Sequence, residues 1–236
     1  MKFEGIIFDF DGVLLESEYA HNAQLAEYLT GKGHPTTVED AMGNFMGLSG
    51  PDFLKAIERW IGRALPEDFH SAHTAVDDRA LEEGLEEVAG AVAFIESLPP
   101  DLPRAIASSS TIRWIVRHLD HLGLRHHFEG RIFSGHEHVQ RGKPAPDIYL
   151  HAAEAMGVPI QRIAIIEDSP IGVTGALASG AEVIGLCAGR HCNPQHPERL
   201  RALGVRHIAS SFDEVAALLE LTPFVPSEVE GRCTDV

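Results

Sequence analysis

Short apolar runs bounded by glycine, proline or charge recur along the chain, and between them the spacing changes to a helical period. Glu4 to Phe8 reads as a buried strand, with three large apolar residues between Gly5 and Asp9. Ser17 to about Thr30 reads as a helix, with Leu25, Tyr28 and Leu29 on one face and Gly31 and Gly33 as stop signals. Pro35 to Pro51, which carries Gly43, Gly47 and Gly50, reads as a loop. Helical patterns resume over Phe53–Ile61 and again from Glu67 to about Leu98. The second half is more regular. Arg104–Ala107, Arg131–Ser134, Arg162–Ile166, Glu182–Leu186 and Arg206–Ala209 each read as short buried strands. Helices are predicted between them over Ile112–Leu122, Pro146–Met156 and Ile171–Ser179, with Pro146 suited to a first turn and Gly157 to a helix end. Trp60, Trp114 and the phenylalanines fall on apolar helical faces and read as core.

Strands alternating with helices predict an α/β fold, a doubly wound, Rossmann-like parallel sheet. A mainly helical block separates the first strand from the others. It predicts a helical cap over 17–78, inserted between core segments 1–16 and 79–221, with a disordered tail over 222–236. The length of 236 residues suits one such domain with a modest insertion. A formal charge of −16, from 19 Lys+Arg against 35 Asp+Glu, repels phosphate backbones and argues against a nucleic-acid or anionic-membrane partner. No run of about eighteen apolar residues occurs. The first apolar run is broken at once by Asp9, unlike a secretory signal. Three cysteines, Cys187, Cys192 and Cys233, are too few for a disulfide scaffold. A reduced, cytoplasmic protein, monomeric or homodimeric, is expected.

The sharpest chemical feature is Phe8-Asp9-Phe10-Asp11-Gly12-Val13. It sets two carboxylates two residues apart at the C-terminal end of the first strand, the edge where doubly wound sheets place their sites. Like charges held this close either raise one pKa or bind a cation. Ala107-Ser108-Ser109-Ser110 follows the second core strand and precedes a helix start, so hydroxyls and free N–H groups offer an anion cradle; simple N-capping is the plainer reading. Gly142-Lys143-Pro144-Ala145-Pro146 fixes a lysine in a short rigid loop. Glu167-Asp168-Ser169-Pro170 is an acidic pair at another strand end.

In this order, Asp-x-Asp-Gly, Ser after a strand, Gly-Lys-Pro-x-Pro and Glu-Asp-Ser, the chain resembles the haloacid dehalogenase superfamily over nearly its whole length apart from the tail. It looks most like the branch of small-cap phosphatases and β-phosphoglucomutases. The resemblance implies a nucleophilic Asp9 that becomes an aspartyl-phosphate and an Asp11 that serves as general acid and base. It implies Mg²⁺ held by Asp9, the Asp11 backbone carbonyl and Asp168, with Glu167 a direct ligand or acting through water. Ser108, Ser109 and Lys143 would grip the phosphoryl group. Ser17, His21, Gly47 and Ser49 would be candidate substrate contacts on the cap side. The implied activity is Mg²⁺-dependent hydrolysis of a small phosphorylated metabolite, a sugar or sugar-acid phosphate. A phosphosugar mutase is the runner-up, and a phosphate-accepting signalling module stands further off. Against the mutase, the loop over Gly47–Gly50, where the resembling mutases offer an Arg to a distal phosphate, has Ser49 followed by Gly50 and Pro51.

Fourteen histidines invite metal readings. His126-His127 and His136-x-His138 lack ligand-type neighbours and read as surface or loop residues. Cys187 and Cys192, with His191 and His196 nearby, have some zinc character, but Cys187 ends an apolar run and reads more simply as a buried thiol.

Overall fold

The computed structural model describes residues 3–46, 48 and 50–220. Gly47, Ser49, Cys233 and the tail over 222–236 lie outside the described residues. Among the described residues, six strands form one parallel sheet: β1 (Gly5–Phe8), β2 (Arg104–Ser108), β3 (Ile132–Ser134), β4 (Ile163–Glu167), β5 (Glu182–Leu186) and β6 (His207–Ala209). Their order is β3-β2-β1-β4-β5-β6. The sheet therefore grows outward from β1 in one direction and then from β4 in the other. The crevice above the C-terminal ends of β1 and β4 is the topological switch point, where ligands of doubly wound sheets bind.

Strand residues alternate between two cores. Ile6, Phe8, Ile106 and Ile166 face one layer, while Ile7, Ala105, Ala107 and Ile165 face the other. The first layer is built by α5 (Ala91–Ser97), α6 (Ile112–His121) and α10 (Phe212–Leu218). The second is built by α7 (Asp147–Met156), α8 (Pro170–Ser179) and α9 (His196–Ala202). Phe8 is fully buried, with edge-on contacts to Phe94 and Phe128, and burial of such a ring contributes about 1.5–3 kcal/mol. Both faces of the sheet are covered, which is why its strands read as unbroken apolar runs.

Four further helices lie between β1 and α5: α1 (Ser17–Gly31), α2 (Val38–Phe45), α3 (Gly50–Ile61) and α4 (Phe69–Glu83). They close around a separate core that includes Leu25, Leu29, Ala41, Phe45, Ile57 and Phe69. The expected boundary at 78/79 falls inside α4, which runs on to Glu83.

Several local readings are corrected. The stretch read as loop from Pro35 to Pro51 contains α2, started by a reciprocal cap in which Asp40 N–H donates to the Thr37 hydroxyl and Thr37 N–H to the Asp40 carboxylate, each at 3.0 Å. The helical stretch read from Glu67 to about Leu98 is divided into two helices, α4 and α5. Gly84 and Gly90 have φ of 81° and 84°, a left-handed conformation that breaks the helix and that glycine tolerates best. The released segment crosses beside the end of the first core segment: Glu16 N–H donates to Glu86 C=O at 3.0 Å and Val88 N–H to Leu14 C=O at 3.1 Å. Trp60 is 38% exposed rather than core, with its indole N–H on the Thr36 hydroxyl at 2.9 Å. The helices α9 and α10 were not read from the sequence; at seven residues each they are too short for a clear period.

His118 on α6 is fully buried and neither ring nitrogen has a partner. Burial, partly offset by Asp11, lowers its pKa from 6.5 to about 4. Above pH 6.5 the ring is neutral in the folded and unfolded chain alike. Between pH 6.5 and about 4 only the unfolded chain takes the proton, so this site removes up to about 3 kcal/mol of stability as pH falls. We expect NMR titration to find the His118 ring neutral at about pH 5, and His118→Leu to shrink the acid loss of denaturant stability. A midpoint near the ordinary histidine value would contradict this.

Candidate active site

The ends of β1, β2 and β4 and the loop after β3 converge on one cleft of about 870 Å³. Asp9 follows β1 directly, and its N–H donates to Ile166 C=O of β4 at 2.9 Å, which fixes the backbone at the crevice. The ammonium of Lys143 donates to Asp9 Oδ1 at 2.7 Å and to Glu167 Oε1 at 2.8 Å, with a side chain only 4% exposed. Glu167 is completely buried and both its oxygens are engaged. Oε1 also accepts from the Tyr149 hydroxyl at 3.0 Å, while Oε2 accepts from Ser169 N–H at 2.7 Å and from the Ser169 hydroxyl at 3.1 Å. A β-carbon at Gly172 would overlap the Glu167 carboxylate, so the first turn of α8 must carry glycine there.

Three acids face one lysine. Oxygens of Asp9, Glu167 and Asp168 lie within 4.8 Å of one another. Burial pushes Asp9 well above the ordinary carboxylate range; Lys143 offsets part of this, and Glu167 and Asp168 add to it. Asp168 is raised for the same reasons, burial first and then the charges of Glu167 and Glu18, against Lys143. Burial works against the Lys143 cation, but Asp9 and Glu167 outweigh it and hold the ammonium charged. Asp168 Oδ1 is buried without a hydrogen-bond partner. An acid excess in low dielectric and an orphaned carboxylate oxygen are what a hard divalent cation would satisfy. Asp9 and Asp168 fit such an ion as oxygen donors, whereas Glu167 already serves protein donors on both sides.

The carboxylates of Asp9 and Asp11 go to different partners. Asp11 Oδ2 accepts from the Ser110 hydroxyl at 2.6 Å and from the Ser108 hydroxyl at 3.4 Å, and Oδ1 accepts from the Trp114 indole at 3.0 Å. Trp114, read from sequence as core, thus belongs to the site's wall. Ser108 is buried at the end of β2, and its hydroxyl accepts from Ser110 N–H at 2.9 Å; Ser109 is exposed on the rim of the same cleft. Among the candidate contacts on the other wall, Ser17 has a buried hydroxyl without a partner. His21 stacks on Trp114 with ring centroids 5.8 Å apart and pairs with Asp77 of α4 at 3.3 Å. Burial disfavours the His21 cation, but the neighbouring Asp77 carboxylate outweighs it and raises the pKa.

Sequence reasoning missed the contacts of Ser110 and Trp114 with Asp11 and of His191 and His196 with Asp168. His191 Nε2 lies 2.9 Å from Asp168 Oδ2, and His196 Nε2 lies 2.7 Å from the Asp168 carbonyl. Their proximity to Cys192 was visible, but nothing local pointed to Asp168. Cys187 is half-buried rather than buried. His126, His136 and His138 are exposed and His127 half-buried, with His136 on the cleft rim.

A parallel sheet with carboxylates and one buried lysine at its switch point, beside a separate helical layer, is the arrangement of an α/β enzyme. The model of the haloacid dehalogenase-like hydrolases matches residues 3–180, and the chain belongs to that family. The 6-phosphogluconate phosphatase of Escherichia coli (strain K12) is 27% identical over 200 residues, which span 84% of this chain and 89% of that protein. The phosphorylated carbohydrates phosphatase of Thermotoga maritima is 32% identical over 188 residues, 77% of this chain and 83% of its own. A crystal structure of a family hydrolase from Deinococcus radiodurans R1, with bound phosphate and sodium, is similar with a TM-score of 0.85 and 31% identity. That match covers 94% of this chain and 99% of the other. Among the described residues, no helix is long and apolar enough to cross a membrane.

The packing of Glu167 on Gly172 is testable. Gly172→Ala must displace the carboxylate that holds Lys143 and Ser169, and we expect a loss of about 1–3 kcal/mol in denaturant unfolding together with impaired turnover. Gly31→Ala, where a β-carbon meets nothing within 4 Å, is the control. Equal behaviour of the two variants would contradict the packing argument.

Proposed function

We propose that the chain is a cytoplasmic, Mg²⁺-dependent phosphomonoesterase that hydrolyses a small phosphorylated sugar or sugar acid through an aspartyl-phosphate on Asp9. The observation that carries this is the buried Lys143 bridge between Asp9 and Glu167, beside the unpartnered Oδ1 of Asp168. The named activities of the two phosphatases and the phosphate in the Deinococcus structure support the same reading.

Asp9, Asp168 and the Asp11 backbone carbonyl would hold the cation, with Glu167 orienting Lys143 and Ser169 around it. When bound, Mg²⁺ supplies positive charge that draws the phosphate dianion to an acidic site and offsets charge built up in transfer. Lys143, Ser108 and Ser109 hold the phosphoryl oxygens, and Lys143 is the protein's own cation at the reacting centre. An Asp9 oxygen attacks phosphorus, and the bond from phosphorus to the leaving oxygen breaks. Asp11 gives its proton to that oxygen. A water then attacks the aspartyl-phosphate; Asp11 takes its proton, and phosphate and free Asp9 are regenerated. For this the Asp11 carboxylate turns from Trp114 and Ser110 toward the bound ester.

The layer α1–α4 acts as the cap, closing on the core and shutting out bulk water. Ser17 and His21 face the cleft from it and would touch the substrate; Gly47 and Ser49 remain candidates from the sequence. Lys55 is exposed and does not line the cleft, so it offers no clamp for a second phosphate. Together with the named activities of the two phosphatases, this favours water as the acceptor.

Asp9→Asn keeps the shape but not the nucleophile, and we expect kcat to fall on the order of a thousandfold or more, with the melting temperature retained. About a tenth of the wild-type rate would sink the assignment. EDTA should stop phosphate release and Mg²⁺ restore it, while Asp168→Ala should raise the Mg²⁺ requirement sharply; full activity after chelation and dialysis would refute the cation's role. The acceptor is checked with β-glucose 1-phosphate plus a trace of the 1,6-bisphosphate. Isomerisation outrunning phosphate release would replace hydrolysis with a mutase reaction.

A further inference from the structure

Asp168 is clamped from one side only. Its Oδ2 meets His191 Nε2 at 2.9 Å and its backbone carbonyl meets His196 Nε2 at 2.7 Å, while Oδ1 is left buried and free. Both imidazoles are 3% exposed. A carboxylate and a carbonyl accept only, so each Nε2 carries the proton and donates, and each Nδ1 is the bare nitrogen. Without a donor on Oδ2, the carboxylate could rotate or turn its second oxygen toward the cation. With one, a single oxygen is presented in a fixed direction.

The seat for His191 is cut to shape. A β-carbon at Gly189 would meet the His191 ring at 2.5 Å, and one at Gly12 would meet it at 3.0 Å as well as overlapping Asp168 Oδ2. The glycine that follows the Asp9-x-Asp11 pair thus makes room for the contact between His191 and Asp168, besides shaping a turn. The next residue along ties the loop down. Arg190 N–H donates to both Glu16 oxygens at 3.1 Å, and its guanidinium reaches Glu86 and lies 4.3 Å from the centre of the Tyr19 ring. Glu16 and Glu86 lie on the two strands of chain that pass between the core and the α1–α4 layer.

We propose that His191 is a positioning residue for the cation site: it holds Oδ2 of Asp168 so that Oδ1 faces the metal, and the loop after β5 anchors that geometry to the base of the cap. The inference rests on the cation reading given above. Partners of metal-ligating groups are worth about 10–100-fold in metal affinity or activity. Cys192 offers a competing use of the same ring, since its Sγ lies 3.4 Å from His191 Nε2, and these two with His196 could surround a soft cation. Both ε-nitrogens, however, are already committed to Asp168.

The test is direct Mn²⁺ binding to the metal-free full-length protein, read by electron paramagnetic resonance without turnover, alongside the Mg²⁺ concentration for half-maximal activity. His191→Leu removes the donor and should weaken Mn²⁺ binding about 10–100-fold. His191→Gln keeps an amide N–H within reach and should recover most of it. If the Leu variant does not fold, the shorter polar His191→Asn decides the matter, with the same weakening expected. Mn²⁺ affinity within about twofold of wild type in a folded Leu or Asn variant would overturn the proposal. So would tight Zn²⁺ binding that survives Asp168→Ala and is lost in Cys192→Ala, because the ring would then serve a site of its own. Unchanged Mn²⁺ binding in Asp168→Ala would instead bring down the cation reading itself, and the inference with it.

Discussion

Everything at the site hangs on one buried ammonium, Lys143, which lies 2.7 Å from Asp9 and 2.8 Å from Glu167. Taking an ammonium and two carboxylates out of water costs several kcal/mol per ion, which their attraction offsets only with close geometry and every remaining lone pair satisfied. The fold meets that condition by drawing on distant elements. Asp9 comes from the end of β1, Glu167 from the end of β4, and Lys143 from the loop between β3 and α7; Tyr149 and Ser169 fill the remaining valences of Glu167. The strand order that puts β1 beside β4 is therefore a condition of the chemistry as well as of the packing.

Charge balance then explains why the site is reactive. One lysine cannot neutralise Asp9, Glu167 and Asp168, and burial together with this crowding raises the pKa of both aspartates. A divalent cation held by Asp9 and Asp168 would relieve the excess, leaving Lys143 to share the negative charge of a bound phosphate. The same imbalance that would destabilise an ordinary core would favour binding of a cation. Asp168 keeps an unused oxygen in this cluster, while both oxygens of Glu167 are taken by protein donors.

Among the described residues, contacts on two sides link the α1–α4 layer to this centre. His21 of α1 rests on Trp114, whose indole N–H holds Asp11, and His21 is itself tied to Asp77 of α4. On the other side, Arg190 bonds Glu16 and Glu86 at the crossing between core and helical layer, one residue before His191. Movement of that layer would thus be felt at the proposed acid–base residue and at Asp168 through short chains of direct contact.

Local sequence determined much of this protein. Apolar runs ended by charge located the strands, and Asp9, Asp11, Ser108, Glu167 and Asp168 could be placed at strand ends because covalent spacing alone puts them there. The order of the motifs along the chain carried the family resemblance. Even α2, read as loop, had a local signal in Thr37 and Asp40, three residues apart. Other features had none. A helical period says which face Trp114 belongs to, but not that its N–H would reach Asp11, 103 positions away. Ser110 and Asp11 are separated by 99 positions, His191 and Asp168 by 23, Arg190 and Glu16 by 174. Such contacts exist only once the parallel sheet has fixed its strand order, because a hydrogen bond depends on distance and angle in space, and nothing in either residue's neighbours along the chain encodes them.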